Sequence, residues 1–106
     1  MKFLIILTLL LSSIYANNAN KGQTYYLYLL KDKLGYNGAV FAKKHNTKEW
    51  NELFNNDAKT LKTMLIKEND ELETLTNSKK FEKITPFIKA FVMHYAKDVK
   101  NSPSCN

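Results

Sequence analysis

The chain has 106 residues, 44% hydrophobic, 12% aromatic and 25% charged, which sets the limit at one domain and excludes wholesale disorder, collagen-like repeats and a multispanning membrane protein. All sixteen basic residues are Lys, against ten acids, for a net charge of +6. The single Cys excludes an internal disulfide framework and a Cys-based zinc site.

The N-terminus reads as a cleaved secretory signal over residues 1–16. Lys2 supplies the positive charge, Phe3 to Leu11 is apolar apart from Thr8, Ile14 and Tyr15 extend the run, and Ala16 suits the cleavage position. The run is short of the roughly 20 apolar residues that span a bilayer. Residues 17–106 then form one small domain in the bacterial periplasm or outside the cell, with flexible ends expected at 17–23 and 101–106.

Within that domain Tyr25 to Leu30 is an unbroken apolar run. Periodicity leaves helix, strand and interfacial segment open there, but Leu34 followed by Gly35 reads as a helix end with a glycine cap. Gly35 to Gly38 is a turn. Ala39 to Lys44 makes a short helix carrying Val40 and Phe41. Asn46 or Thr47 caps the next, with Glu49 three residues after Asn46 as in a capping box, and Trp50, Leu53 and Phe54 share one face. Asn55 and Asn56 stop it, and Asp57 caps a helix bearing Ala58, Leu61, Met64 and Leu65. Asn69 caps a further turn with Leu72 and Leu75, broken by Asn77 and Ser78.

The closing helix is expected to start with Thr85 as N-cap and Pro86 at the first helical position. Ile84, Phe87, Ile88, Phe91, Val92, Tyr95 and Val99 fall within an arc of about 140°, and Asn101 to Pro103 ends the helix. The architecture is therefore all-α, a compact bundle of four to six short helices. Phe41, Trp50, Phe54, Phe81, Phe87 and Phe91 are the expected core anchors.

Few residues carry chemistry. His45 with Glu49 and His94 with Asp98 are each spaced i, i+4, which on a helix puts both groups on one face. The four together would make a mixed nitrogen–oxygen site for zinc, copper or iron. Each pair has a plainer reading: His45 precedes a cap, and His94 is an edge-of-core histidine bonded to Asp98. No Gly-x-Ser-x-Gly, Gly-rich loop or nucleophile–base set is present, so an enzyme is not expected. Asp70, Glu71 and Glu73 read as a solvated face.

Cys105, an odd cysteine on a tail, is a candidate for an intermolecular disulfide, with a passive exposed thiol as the simpler alternative. The lysine clusters at Lys43, Lys44 and Lys48 and at Lys79, Lys80 and Lys83 read first as charges that solvate the helices, with an anionic surface or a periplasmic protein partner as the alternative. Export and the lack of Arg argue against nucleic acid.

The stretch Gly38-Ala39-Val40-Phe41-Ala42-Lys43-Lys44-His45 resembles the first helix of small class I cytochromes c, in which a Gly-x-x-Phe-Ala-like segment runs into Cys-x-x-Cys-His. The late Phe91, Tyr95 and Ala96 are similar to their closing helix. The segment His45 to Trp50 and the tail Lys97 to Cys105 look like small periplasmic proteins of Gram-negative bacteria. The resemblance implies a cytochrome-like helical fold and a haem bound by His45, with His94, Met64 or Met93 opposite. His45 stands where the first motif Cys would be, and no Cys-x-x-Cys-His exists, so covalent attachment by that route is excluded. The resulting expectation is an exported binding or accessory module. The alternatives are an electron-transfer component with non-covalent haem or a metal at His45 and His94, and a membrane-surface binder using Tyr25 to Leu30.

Overall fold

The structure is a computed structural model and describes residues 17–103. Residues 1–16, expected as a signal segment, and Cys105 lie outside the described residues. The described chain is all-α, with no strand among its residues. In chain order the elements are α1 (17–29), α2 (Lys31–Leu34), α3 (Gly38–Ala42), α4 (Thr47–Leu53), α5 (Asn55–Glu68), a 3-10 turn (Asp70–Leu72), α6 (Glu73–Thr76) and α7 (Lys79–His94).

The segment 17–23, expected as a flexible lead-in, is the first part of α1. Its buried positions are Ala19, Gly22, Gln23 and Tyr26, followed by Leu30 just beyond the helix. That is a stripe at helical spacing, so Tyr25 to Leu30 belongs to a helix with one buried face. The stripe is hard to read in the sequence because small and polar residues occupy three of its five positions. Gly22 is there for space: a Cβ on it would stand 1.9 Å from the Phe87 carbonyl oxygen. The backbones of α1 and α7 therefore touch. Tyr28 points the other way and is 77% exposed.

Gly35 caps α2 at φ 86°, donating its N–H to the Lys31 carbonyl. The turn that follows is fastened from both sides. Tyr26 donates its hydroxyl to the Tyr36 carbonyl (2.5 Å), and Tyr36 donates its own to Glu68 (2.8 Å). Burial first, then the Glu68 carboxylate, pushes both phenols well above their ordinary range.

Asn46 caps α4 with the full capping box: its side chain accepts from the Glu49 N–H (2.8 Å), and Glu49 accepts from the Asn46 N–H (2.9 Å). Trp50 projects from α4 into the centre of the core. Its ring meets Phe41 at 5.1 Å and Phe54 at 6.2 Å, and its indole N–H donates to the Ala42 carbonyl at 2.9 Å. Of the expected anchors, Phe41, Trp50, Phe54, Phe81 and Phe91 are buried, and Phe87 is half-buried against Tyr25. Tyr26, stacked on Phe41 at 4.6 Å, is the aromatic anchor missing from that expectation.

The expected break at Asn55 and Asn56 is a left-handed turn. Asn56, Asp57 and Ala58 have φ of 55°, 57° and 59°. Asn and Asp tolerate this region, whereas Ala does so at a cost of about 1–2 kcal/mol. Asp57 makes no side-chain cap, because its own backbone is inside the turn. The next expected cap does form: Asn69 accepts from the Glu71 N–H (3.0 Å).

The last helix corrects the sequence reading at both ends. It starts at Lys79, with the Ser78 hydroxyl accepting from the Phe81 N–H (3.2 Å), and Pro86 lies inside it. Phe81, Ile84, Ile88, Phe91 and Val92 form one buried stripe that runs straight past the proline. Pro86 is tolerated because it is on the exposed side, where the carbonyl deprived of its N–H opens to solvent. Thr85 caps nothing and donates its hydroxyl back to the Phe81 carbonyl at 2.5 Å.

The helix ends at His94, so Val99 is not on it. Residues 95–103 instead form a strap over the start of α4. Lys43 donates to the carbonyls of Ala96 (3.1 Å), Val99 (2.8 Å) and Asn101 (2.5 Å), and the Lys97 N–H donates to the His45 carbonyl (3.0 Å). Residues 101–103 belong to this strap, and Pro103 is buried.

Candidate functional site

The residues singled out as ligands are dispersed by this fold. His45 sits in the connection before α4, with its ring edge-on to Trp50 (centroids 4.8 Å) and its Nδ1 4.0 Å from Glu49. The capping box that starts α4 holds Glu49 in place, so this pair is a consequence of the helix cap. His94 is the last residue of α7 and stands edge-on to Tyr95 at 4.6 Å. Asp98 has left the helix and accepts from the Thr47 N–H (2.9 Å) and hydroxyl (2.7 Å). The Thr47 hydroxyl and N–H hold the Asp98 carboxyl below its ordinary range. The i, i+4 relation between His94 and Asp98 is lost because the helix that would carry it stops four residues earlier. Among the described residues no group of three or more His, Cys, Asp and Glu comes together to hold a metal.

The haem expectation meets the same geometry. The surface hollow that His45 lines, of about 340 Å³, is shared with Glu49, Glu52, Leu53 and Thr60, and with none of His94, Met64 or Met93. Two carboxylates and no opposing ligand do not fit an iron porphyrin, whose faces demand an apolar slot. The space beside His45 on the core side is filled by Trp50, which is fully buried.

A different place in the fold has the shape of a binding site. α5 and α7 diverge and leave a cleft of about 520 Å³ between them. Phe54 and Ala58 form its buried floor, Asp57 and Lys62 line the α5 wall, and Glu82, Thr85, Pro86 and Lys89 line the α7 wall. The left-handed turn positions the first wall by carrying the chain from the end of α4 into α5 with Ala58 pointing inward. On the second wall, residues 82, 85, 86 and 89 recur at helical spacing and form the face that flanks the buried stripe. Lys62 and Lys89 are half-buried, and among the described residues neither they nor Asp57 and Glu82 form an ion pair. These residues were not expected from the sequence. The available signal was the proline inside an otherwise continuous apolar period, with Glu82 and Lys89 two turns apart on its face.

Among the described residues no helix is long and apolar enough to cross a membrane. No protein-family model matches the chain, and neither a curated protein nor a solved structure matches it.

Proposed function

We propose that this chain is an exported binding module whose ligand site is the cleft between α5 and α7. The observation that carries the reading is the cleft itself: a concave space of about 520 Å³ with an apolar floor and charged walls. That combination of an apolar floor with a few placed polar groups is what small-molecule sites are made of. The left-handed turn at its lip adds support, since backbone held away from its relaxed conformation gathers at binding sites.

Export rests on the sequence of residues 1–16, and a mature N-terminus at Asn17 in protein recovered from its native source is its test. The binding reading is tested by screening small molecules against isotope-labelled protein. Binders are expected to shift the amide signals of Phe54, Ala58, Lys62, Thr85 and Lys89. Binders that map only to other surfaces overturn it.

One further observation favours a second reading, attachment to an anionic membrane surface. Tyr28 is 77% exposed on α1, in a chain with a net charge of +6. An exposed aromatic residue on a basic chain suits a lipid headgroup layer. Sedimentation with anionic vesicles, reversed by salt and lost in Tyr28→Ser, is its expected result.

A further inference from the structure

We propose that the α5–α7 cleft takes a short peptide of three residues with both termini free. This deepens the binding reading and rests on it.

The argument begins with charge. The walls carry two cations, Lys62 and Lys89, and two anions, Asp57 and Glu82. A ligand bearing only negative charge is repelled by the carboxylates, and one bearing only positive charge by the ammonium groups. A ligand with one charge of each sign at opposite ends is attracted at both. On α7 the two signs are segregated: Glu82 and Lys89 are seven residues apart on one face, about 10.5 Å along the axis. An extended chain advances about 3.3–3.6 Å per residue, so a tripeptide spans about that distance. Its ammonium end lies towards Glu82 and its carboxylate end towards Lys89.

The backbone supplies a second acceptor at the ammonium end. Pro86 has no N–H to give to the Glu82 carbonyl, so this oxygen lacks its normal helical donor on the wall of the cleft. Phe54 and Ala58 on the floor offer an apolar surface to the peptide's side chains. The volume of about 520 Å³ is in the range of small-molecule sites.

The test compares alanyl-leucyl-alanine bearing free termini with its acetylated and amidated form, alongside a panel of uncharged fragments, by amide chemical shifts. The free peptide is expected to shift the cleft residues, and blocking both termini to weaken binding by about tenfold or more. Glu82→Gln and Lys89→Gln are each expected to weaken the free peptide several-fold with an unchanged melting temperature. Equal binding of free and blocked peptide, or indifference to both substitutions, overturns the proposal. If fragments occupy the cleft and the free peptide does not, the peptide assignment fails and the binding reading stands. If nothing shifts the cleft residues, both fail.

Discussion

Asp98 accepts two hydrogen bonds from Thr47, 51 residues earlier in the chain, through the backbone N–H at 2.9 Å and the hydroxyl at 2.7 Å. This contact sends the carboxylate to the first turn of α4, where the helix dipole favours negative charge, and away from His94. With Lys43 it fastens the strap 95–103 to the body of the fold.

The strap should therefore respond to acid. The Asp98 carboxyl is held below its ordinary value of 3.8 by Thr47. A carboxyl depressed in the folded state contributes stability that is complete above its unfolded pKa and is lost as pH falls through the folded one. Melting temperatures recorded from pH 6 downward should fall for the wild-type chain below about pH 4. In Asp98→Asn the melting temperature should already be lower at pH 6, and that part of the acid decline should be missing. Parallel curves for the two proteins would remove Asp98 from the account.

Lys43 closes the same strap from the other side with three carbonyl contacts. Lys43→Met keeps most of the aliphatic stem and removes the ammonium. The expected loss is about 2 kcal/mol, the range for hydrogen bonds to a charged group. Hydrogen exchange should locate it: the Lys97 amide, bonded to the His45 carbonyl, should lose protection while the amides of α7 keep theirs.

Trp50 separates packing from hydrogen bonding. It is fully buried, and its indole N–H satisfies the Ala42 carbonyl. Trp50→Ala should cost about 3–5 kcal/mol through the cavity it leaves. Trp50→Phe keeps an aromatic ring but leaves the Ala42 carbonyl without its donor, for a smaller cost of about 1–3 kcal/mol. Denaturant unfolding of both variants checks the order.

Gly22 is a matter of space. A methyl group there would stand 1.9 Å from the Phe87 carbonyl oxygen and 2.7 Å from the Phe91 Cβ. Both atoms are anchored, one in backbone and one in the core. Gly22→Ala should therefore lower stability by about 3 kcal/mol or more despite its better helix propensity. A rise in melting temperature would mean that α1 is not seated on α7.

At Asn56 the backbone sets the outcome. The residue is exposed with φ 55°. Asn56→Gly should melt at the wild-type temperature or slightly above it, and Asn56→Val, branched at Cβ, should lose about 1–2 kcal/mol. Thermal melts of the pair are sufficient.

Local chemistry was legible along the chain. The all-α class, the capping box of Asn46 and Glu49, the glycine cap at Gly35, the side-chain cap at Asn69 and most aromatic anchors follow from propensity and period over a few residues. These effects act within one or two turns, so a one-dimensional pattern contains them. What the pattern could not decide is where tertiary contacts override a local signal. Thr85 and Pro86 form a good helix start, but the stripe from Phe81 to Val92 buries more by continuing through them. Tyr95 and Val99 continue the apolar period beyond His94, but Lys43 and Thr47 offer the strap's carbonyls and Asp98 better partners than another turn of helix does. The buried face of α1 depends on Gly22 and Gln23, whose burial is set by Phe87 and Phe91 far along the chain. The cleft is the same kind of feature: its two walls, on α5 and α7, face one another across a space that opens only once α4, the left-handed turn at Asn56 and α7 have come together.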